Sequence, residues 1–253
     1  WSDAIDISLF EILDLGGSHG YSVRARSNAK DEITGAITLP ARYGGDEINR
    51  VETSGFEDCI NITEVIVPDT IDYLYQYSFR GCTSLEKITL PETLDQIGRG
   101  AFSGCEKLAE VNFPDSVYSI YADIFADCPL MLKQLEQDAD GNYYWESAFL
   151  GKSYVTGKKV EDDATTSVTV REGTTVVATY SLYYMNALET VTFADTVKYL
   201  PSYVFPVNDD CPIKTINLSA SYMSASSLTT YFPVNVETIT IPESNEEFTV
   251  IDG

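Results

Sequence analysis

The sequence predicts a mainly β solenoid: one coil of about 23 residues, built repeatedly and stacked so that equivalent strands form a parallel sheet. Three observations carry this. Phenylalanines recur at Phe56, Phe79, Phe102 and Phe125, a step of 23 residues. Cysteines follow each of them by three, at Cys59, Cys82, Cys105 and Cys128. Prolines keep the same step at Pro68, Pro91 and Pro114. Several residue types held in one register mark a repeated unit, because each slot of a coil meets the same surroundings in the next.

The coil at 82–104, CTSLEKITLPETLDQIGRGAFSG, shows how the pattern folds. Leu85, Ile88 and Leu90 face inward; Glu86, Lys87 and Thr89 do not. The alternation Ile88-x-Leu90 is a short strand with period two. Pro91 ends it, since proline cannot donate to a ladder, and Glu92-Thr93 makes the turn. Leu94 and Ile97 pack inward from a second extended segment. Ala101 and Phe102 close the far side, and Cys105 opens the next coil. The coils at 59–81 and 105–127 repeat these slots.

Upstream, Ile37-Thr38-Leu39-Pro40, a Gly44-Gly45 insertion, Ile48, Val51 and Phe56 form a partial coil. Ahead of it, residues 5–13 and 21–25 read as two strands around the turn Gly16-Gly17-Ser18-His19-Gly20. That hairpin suits an N-terminal cap, because an uncapped solenoid exposes its core. The rhythm breaks after Cys128. Residues 131–135 and 143–150 read as strands around Asp138-Ala139-Asp140-Gly141-Asn142, with Asp-Gly as the hairpin signal; 152–163 reads as a polar loop. Coils resume at Val168-Thr169-Val170, with Leu182 in the Phe slot, Met185 in the Cys slot, and Phe205 23 residues after Leu182. Phe-Pro-Val-Asn at 205–208 recurs at 232–235, and Phe248–Ile251 is a candidate closing strand. The expected organisation is a cap at 1–28, repeats at 29–128, a non-repeat hairpin and linker at 129–163, and repeats at 164–253. Together these make one continuous right-handed solenoid of about eight or nine coils.

Composition limits function. Sixteen Lys+Arg stand against 39 Asp+Glu, a formal charge of −23. Such a chain repels nucleic-acid phosphates and anionic membrane surfaces. No apolar run approaches the ~20 residues of a membrane span. The start at Trp1, without Met, is what removal of an export signal leaves. Four of the five cysteines are locked to the repeat step. They read as a stack of buried free thiols, not disulfides, and C-x₂-C metal spacing does not occur.

The pattern L-x-x-I-x-L-P-x-x-L-x-x-I-x-x-x-A-F-x-x-C, carried here by Leu85, Ile88, Leu90, Pro91, Leu94, Ile97, Ala101, Phe102 and Cys105, resembles the BspA-like class of leucine-rich repeats. The resemblance implies a leucine-rich-repeat solenoid and a secreted or cell-surface bacterial protein. It also implies adhesion-type contacts with another protein or a host or matrix macromolecule. The class shares no catalytic residues, so the expectation is no enzyme, no cofactor and no metal.

Chemistry-bearing motifs are sparse. His19, the one histidine, sits in a glycine-rich turn. Glu136, Asp138, Asp140 and Gly141 match the first half of a calcium loop, but the closing Glu of such a loop is Ser147 here. A calcium-assisted or glycan-active module around 136–146 is therefore one alternative; a structural spacer in a longer surface protein is another. The binding reading rests on two sets of outward residues. One is a strand-face ladder of Thr38, Glu64, Lys87, Thr89, Glu110, Asn112, Thr169, Thr190 and Thr192, continued by Asn217, Thr240, Thr215 and Thr238. Threonine suits an exposed strand by β-propensity alone. The other is a tyrosine side, with Tyr73, Tyr75, Tyr118, Tyr121 and Tyr199, and with Tyr77 and Tyr203 beside them; tyrosine favours interfaces through its large area and polar tip.

Overall fold

The computed structural model describes residues 7–16, 20–160, 163–206, 211–223 and 232–246. His19, the strand expected at Phe248–Ile251 and the end of the 205–208 tetrapeptide lie outside these. The chain divides into two compact units, Trp1–Val117 with Asp123–Gln134, and Tyr118–Ala122 with Leu135–Gly253.

In the first unit, β1 (Phe10–Asp14) and β2 (Tyr21–Ala25) form the antiparallel hairpin, though the first strand, expected over 5–13, starts only at Phe10, after a 3-10 turn at Ile7–Leu9. Next come β3 (Gly35–Thr38), β4 (Arg42–Tyr43), β5 (Asp46–Val51), β6 (Ile62–Ile66), β7 (Tyr73–Leu74), β8 (Lys87–Thr89), β9 (Gln96–Ile97) and β10 (Glu110–Val111). They sort into two sheets. One runs β3-β6-β8-β10, all parallel. The other runs β1-β2-β5-β7-β9, with β4 paired to β5. A coil such as 82–104 therefore places β8 in the first sheet and β9, its second extended segment, in the other. Leu85, Ile88, Leu90, Leu94, Ile97, Ala101, Phe102 and Cys105 are each at most 2% exposed.

The phenylalanine slot makes a ring stack. Phe56–Phe79, Phe79–Phe102 and Phe102–Phe125 centroids are 5.3, 6.2 and 5.8 Å apart, each pair near parallel. Phe10 of the hairpin meets Phe56 edge-on at 5.9 Å, so the cap closes the stack with a buried ring. The cysteine slot is polar as well as small. The Cys82, Cys105 and Cys128 thiols donate to the carbonyls of Phe56, Phe79 and Phe102 at 3.1, 3.1 and 2.9 Å. Each of those carbonyls also accepts the backbone N–H of the cysteine three residues on, at 3.1–3.3 Å. Both lone pairs of a buried oxygen are thereby used.

All five cysteines are free and buried, and burial pushes the Cys59 thiol up to about 12. Thiolate is the reactive form. Ellman's reagent at pH 8 is expected to label essentially no thiol in the folded protein and all five in guanidinium. Fast labelling in buffer would contradict the core assignment.

Two left-handed positions recur per coil. One is Ser54, Tyr77 and Gly100, with φ of 54°, 60° and 55°. The other is Asp58, Gly81, Gly104 and Asp127, with φ of 60°, 73°, 75° and 56°. These reversals aim backbone N–H groups at the following coil: Tyr77 N–H to Arg99 O, Asp58 to Arg80 O, Gly81 to Ser103 O and Gly104 to Ala126 O, all at 2.8–2.9 Å.

The stretch expected as a strand at 131–135 is instead mostly a short helix, α1 (Pro129–Gln134). Proline is pre-set for a first helical turn, and Leu-Met-Leu-Lys-Gln contains no β-branched residue. Leu132 N–H donates to Cys128 O at 2.9 Å. Pattern alone fits a short apolar run to either element, and here the local propensities favour the helix over the expected strand.

The second unit holds β11 (Glu136–Gln137), β12 (Tyr143–Trp145), β13 (Ala148–Gly151), β14 (Ser167–Thr169), β15 (Val176–Val177), β16 (Thr190–Thr192), β17 (Thr215–Asn217) and β18 (Thr238–Thr240). The run 143–150, read as continuous strand, is divided by a turn at Glu146, whose φ is 50°. Its second half, β13, then pairs in parallel with β15. β14-β16-β17-β18 form a parallel sheet. Leu182, Met185 and Phe205 are fully buried in this unit's core.

Candidate binding surfaces

The strand ladder falls into rows set by register. In the first unit Ala36, Glu64, Lys87 and Glu110 are successive partners. Lys87 Nζ lies 3.9 Å from Glu64 and 3.5 Å from Glu110. These are exposed pairs, which contribute little to stability. Beside them run Thr38, Ile66 and Thr89. Asn112 follows in the pattern but its side chain is engaged: its amide accepts from Leu90 N–H and donates to Leu90 O, both at 2.8 Å. It stands in for a strand at the sheet edge.

In the second unit the rows are Ser167, Thr190, Thr215, Thr238 and Thr169, Thr192, Asn217, Thr240. Asn217 Nδ2 donates to Thr192 Oγ1 at 2.9 Å and Thr240 Oγ1 donates to Asn217 Oδ1 at 2.6 Å. The side chains thus form a chain across three strands.

In the first unit Tyr73 and Tyr75 stack at 6.5 Å. Arg50 lies over the Tyr73 ring at 5.4 Å and donates to the Tyr75 hydroxyl at 3.0 Å. In the second unit Tyr199 lies 4.0 Å from the Met223 sulfur, and Tyr118 is half-buried. Tyr121 belongs to a larger assembly that the pattern did not expose. Tyr180 sits at its centre, with ring centroids of Tyr121, Tyr154, Tyr183, Tyr184 and Tyr203 at 5.2–6.4 Å. Tyr183 and Tyr184 meet at 4.9 Å, and Lys159 Nζ lies 4.8 Å from the Tyr184 ring. Most of these rings are half-buried, and Tyr203 is 43% exposed.

The backbone carries these rings at a cost. Tyr180 and Tyr203 are left-handed, with φ of 68° and 58°. They lie two residues before Leu182 and Phe205, as Tyr77 and Gly100 lie before Phe79 and Phe102. A left-handed non-glycine residue costs about 1–2 kcal/mol. Glycine satisfies the same slot at Gly100, so the rings are not there for the backbone's benefit. A Tyr at 180 and another 23 residues on, both two before the Phe slot, was the available signal.

The acidic loop is a turn. The Asp138 carboxylate accepts from the backbone N–H of Asp140 and Asn142 at 3.0 and 2.9 Å, from Asn142 Nδ2, and from the Tyr144 hydroxyl at 3.2 Å. Among the described residues no group of three or more His, Cys, Asp or Glu is placed to share a metal ion. No helix among them is long and apolar enough to cross a membrane.

A family profile described as BspA type leucine-rich repeat region matches residues 36–150 and 161–250 in six copies. No curated protein matches the chain. Solved structures with a similar chain path include a leucine-rich repeat protein of T. pallidum, 19% identical over 84% of this chain and 70% of that one, with a TM-score of 0.43. Another is a leucine-rich repeat protein of Bacteroides ovatus, 18% identical over 96% of this chain, with a TM-score of 0.45; this chain spans 60% of it. A third is the pneumococcal vaccine antigen PcpA, 14% identical over 91% of this chain and 75% of that one, with a TM-score of 0.33.

Proposed function

The chain belongs to the BspA-type leucine-rich repeat family, and from that premise we propose that it is a non-catalytic binding protein of the bacterial surface or secreted space. In this reading another protein docks on the tyrosine patch of the second unit. One observation carries it: Tyr121, Tyr154, Tyr180, Tyr183, Tyr184 and Tyr203 are gathered into one partly exposed cluster. Two of its members are held in a conformation that glycine adopts more easily. Interface cores are enriched in tyrosine, which brings large area, few rotatable bonds and a polar tip. A spacer has no use for strained rings turned partly to solvent. The calcium reading draws no support from Asp138, whose oxygens are already used by its own turn.

The test is capture of soluble plasma and extracellular-matrix proteins on immobilised protein, with the Tyr183→Ala, Tyr203→Gly double variant alongside. Wild type is expected to retain at least one protein at about micromolar affinity, and the variant to bind it at least about tenfold more weakly with its melting temperature kept. Equal retention by both would move the contact off the patch. Turnover of a peptide or glycan substrate would remove the non-catalytic reading.

A further inference from the structure

The sheet β14-β16-β17-β18 presents eight outward slots in two rows: six threonines, one serine and one asparagine. None is charged, in a chain whose formal charge is −23. The equivalent slots of the first unit hold Ala36, Glu64, Lys87 and Glu110 in one row and Thr38, Ile66, Thr89 and Asn112 in the other, three of them charged. Strand propensity accounts for threonine but admits valine, isoleucine and tyrosine as well. It does not account for a face restricted to hydroxyls and one amide.

We infer that this face binds an uncharged linear polysaccharide, laid across the strands along the two hydroxyl rows. Three arguments select that ligand. First, equivalent slots repeat at about 4.7–4.9 Å, the strand spacing, so a polymer with its own repeat can meet several in succession. Second, Asn217 bonded to Thr192 and Thr240 bonded to Asn217 hold their rotamers in place, which lowers the entropy lost on binding. Each threonine sets a methyl beside its hydroxyl, as a sugar ring sets C–H beside O–H. Third, the other ligand classes fit poorly. Protein interfaces favour aromatic, Met and Arg side chains and are depleted in serine. Nucleic acid and anionic lipid require basic clusters. On one border of the face the adjoining row is Glu189, Lys214 and Glu237, where Lys214 and Glu237 pair at 2.8 Å.

The experiment is native affinity electrophoresis of the whole protein through gels holding laminarin, dextran, xyloglucan or galactomannan, with polygalacturonate as the anionic control. At least one neutral polymer is expected to slow the protein, and adding about 0.5 M NaCl to leave the effect unchanged. Thr192→Val with Thr215→Val should weaken it about tenfold, and Thr240→Val on the edge strand should weaken it less. The Tyr183→Ala, Tyr203→Gly variant should behave as wild type, which separates this inference from the protein-docking reading. The inference is overturned if no neutral polymer slows the protein, if only polygalacturonate does, or if both threonine variants, folded by melting, match wild type.

Discussion

Phe102→Ala is expected to remove about 3–5 kcal/mol of stability, a large part of what holds a domain folded. Phe102 is fully buried and sandwiched between Phe79 and Phe125, with ring planes within about 20° of both. The stack is held open from outside. Phe79 N–H donates to Ala101 O at 2.8 Å and Phe102 N–H to Ile124 O at 3.1 Å. These bonds fix the spacing of the coils, so the neighbours cannot close over the missing ring, and a poorly collapsing site gives the larger cavity penalty. Because each coil contacts only its neighbours, the gap also weakens coupling between the halves of the stack. Urea unfolding should show a lower midpoint, and a lower slope if that coupling fails. Phe102→Leu should recover most of the loss, since Leu182 fills the same slot in the second unit. A midpoint shift worth less than about 1 kcal/mol for the alanine variant would mean that the ring stack is not a source of stability.

The inward half of this protein is legible in its sequence, and the outward half largely is not. Phe56 to Phe125 and Cys59 to Cys128 announce themselves because every coil imposes the same steric demand on the same slot. The hairpin before the first coil follows from the need to cover Phe56, which Phe10 does. The row registers follow as well, since a fixed step leaves one pairing: Glu64 beside Lys87, Thr169 beside Thr192. Legibility fails where the coil is interrupted. Leu-Met-Leu in α1 is apolar enough for strand or helix, and only Pro129 and the lack of branched residues tip it. The tyrosine patch fails for another reason. Tyr154 reaches Tyr180 from a loop outside the repeat, so no step in the sequence relates them. Asn112 shows the converse: its slot is right, but its amide is used to finish the sheet edge, which pattern alone does not disclose.

Gly151→Ala is expected to cost a comparable amount, for a reason unrelated to cavities. Gly151 ends β13 with φ of 66°, and a Cβ there would stand 2.1 Å from Ser181 O and 2.8 Å from Ser181 C. Both are backbone atoms of the neighbouring coil. They are also tied in place, because the single Ser153 Oγ proton is shared between Tyr180 O at 2.7 Å and Ser181 O at 2.9 Å. The substitution adds left-handed strain of about 1–2 kcal/mol to an overpacking cost of about 1–3 kcal/mol or more. Gly173 separates the two costs: its φ is 86°, yet a Cβ would meet nothing within 4 Å. Gly173→Ala should therefore lose only the strain. If the two variants melt alike, the close approach of Gly151 to Ser181 is not what the position requires. The consequence extends to the surface. Ser181 follows Tyr180, the centre of the tyrosine cluster, so a backbone pushed away at Ser181 must carry the Tyr180 ring with it. The near-ultraviolet tyrosine circular dichroism should change in Gly151→Ala and persist in Gly173→Ala, both measured below their melting temperatures. The glycine that lets two coils touch would then also be the residue that sets the rings on which the proposed partner docks.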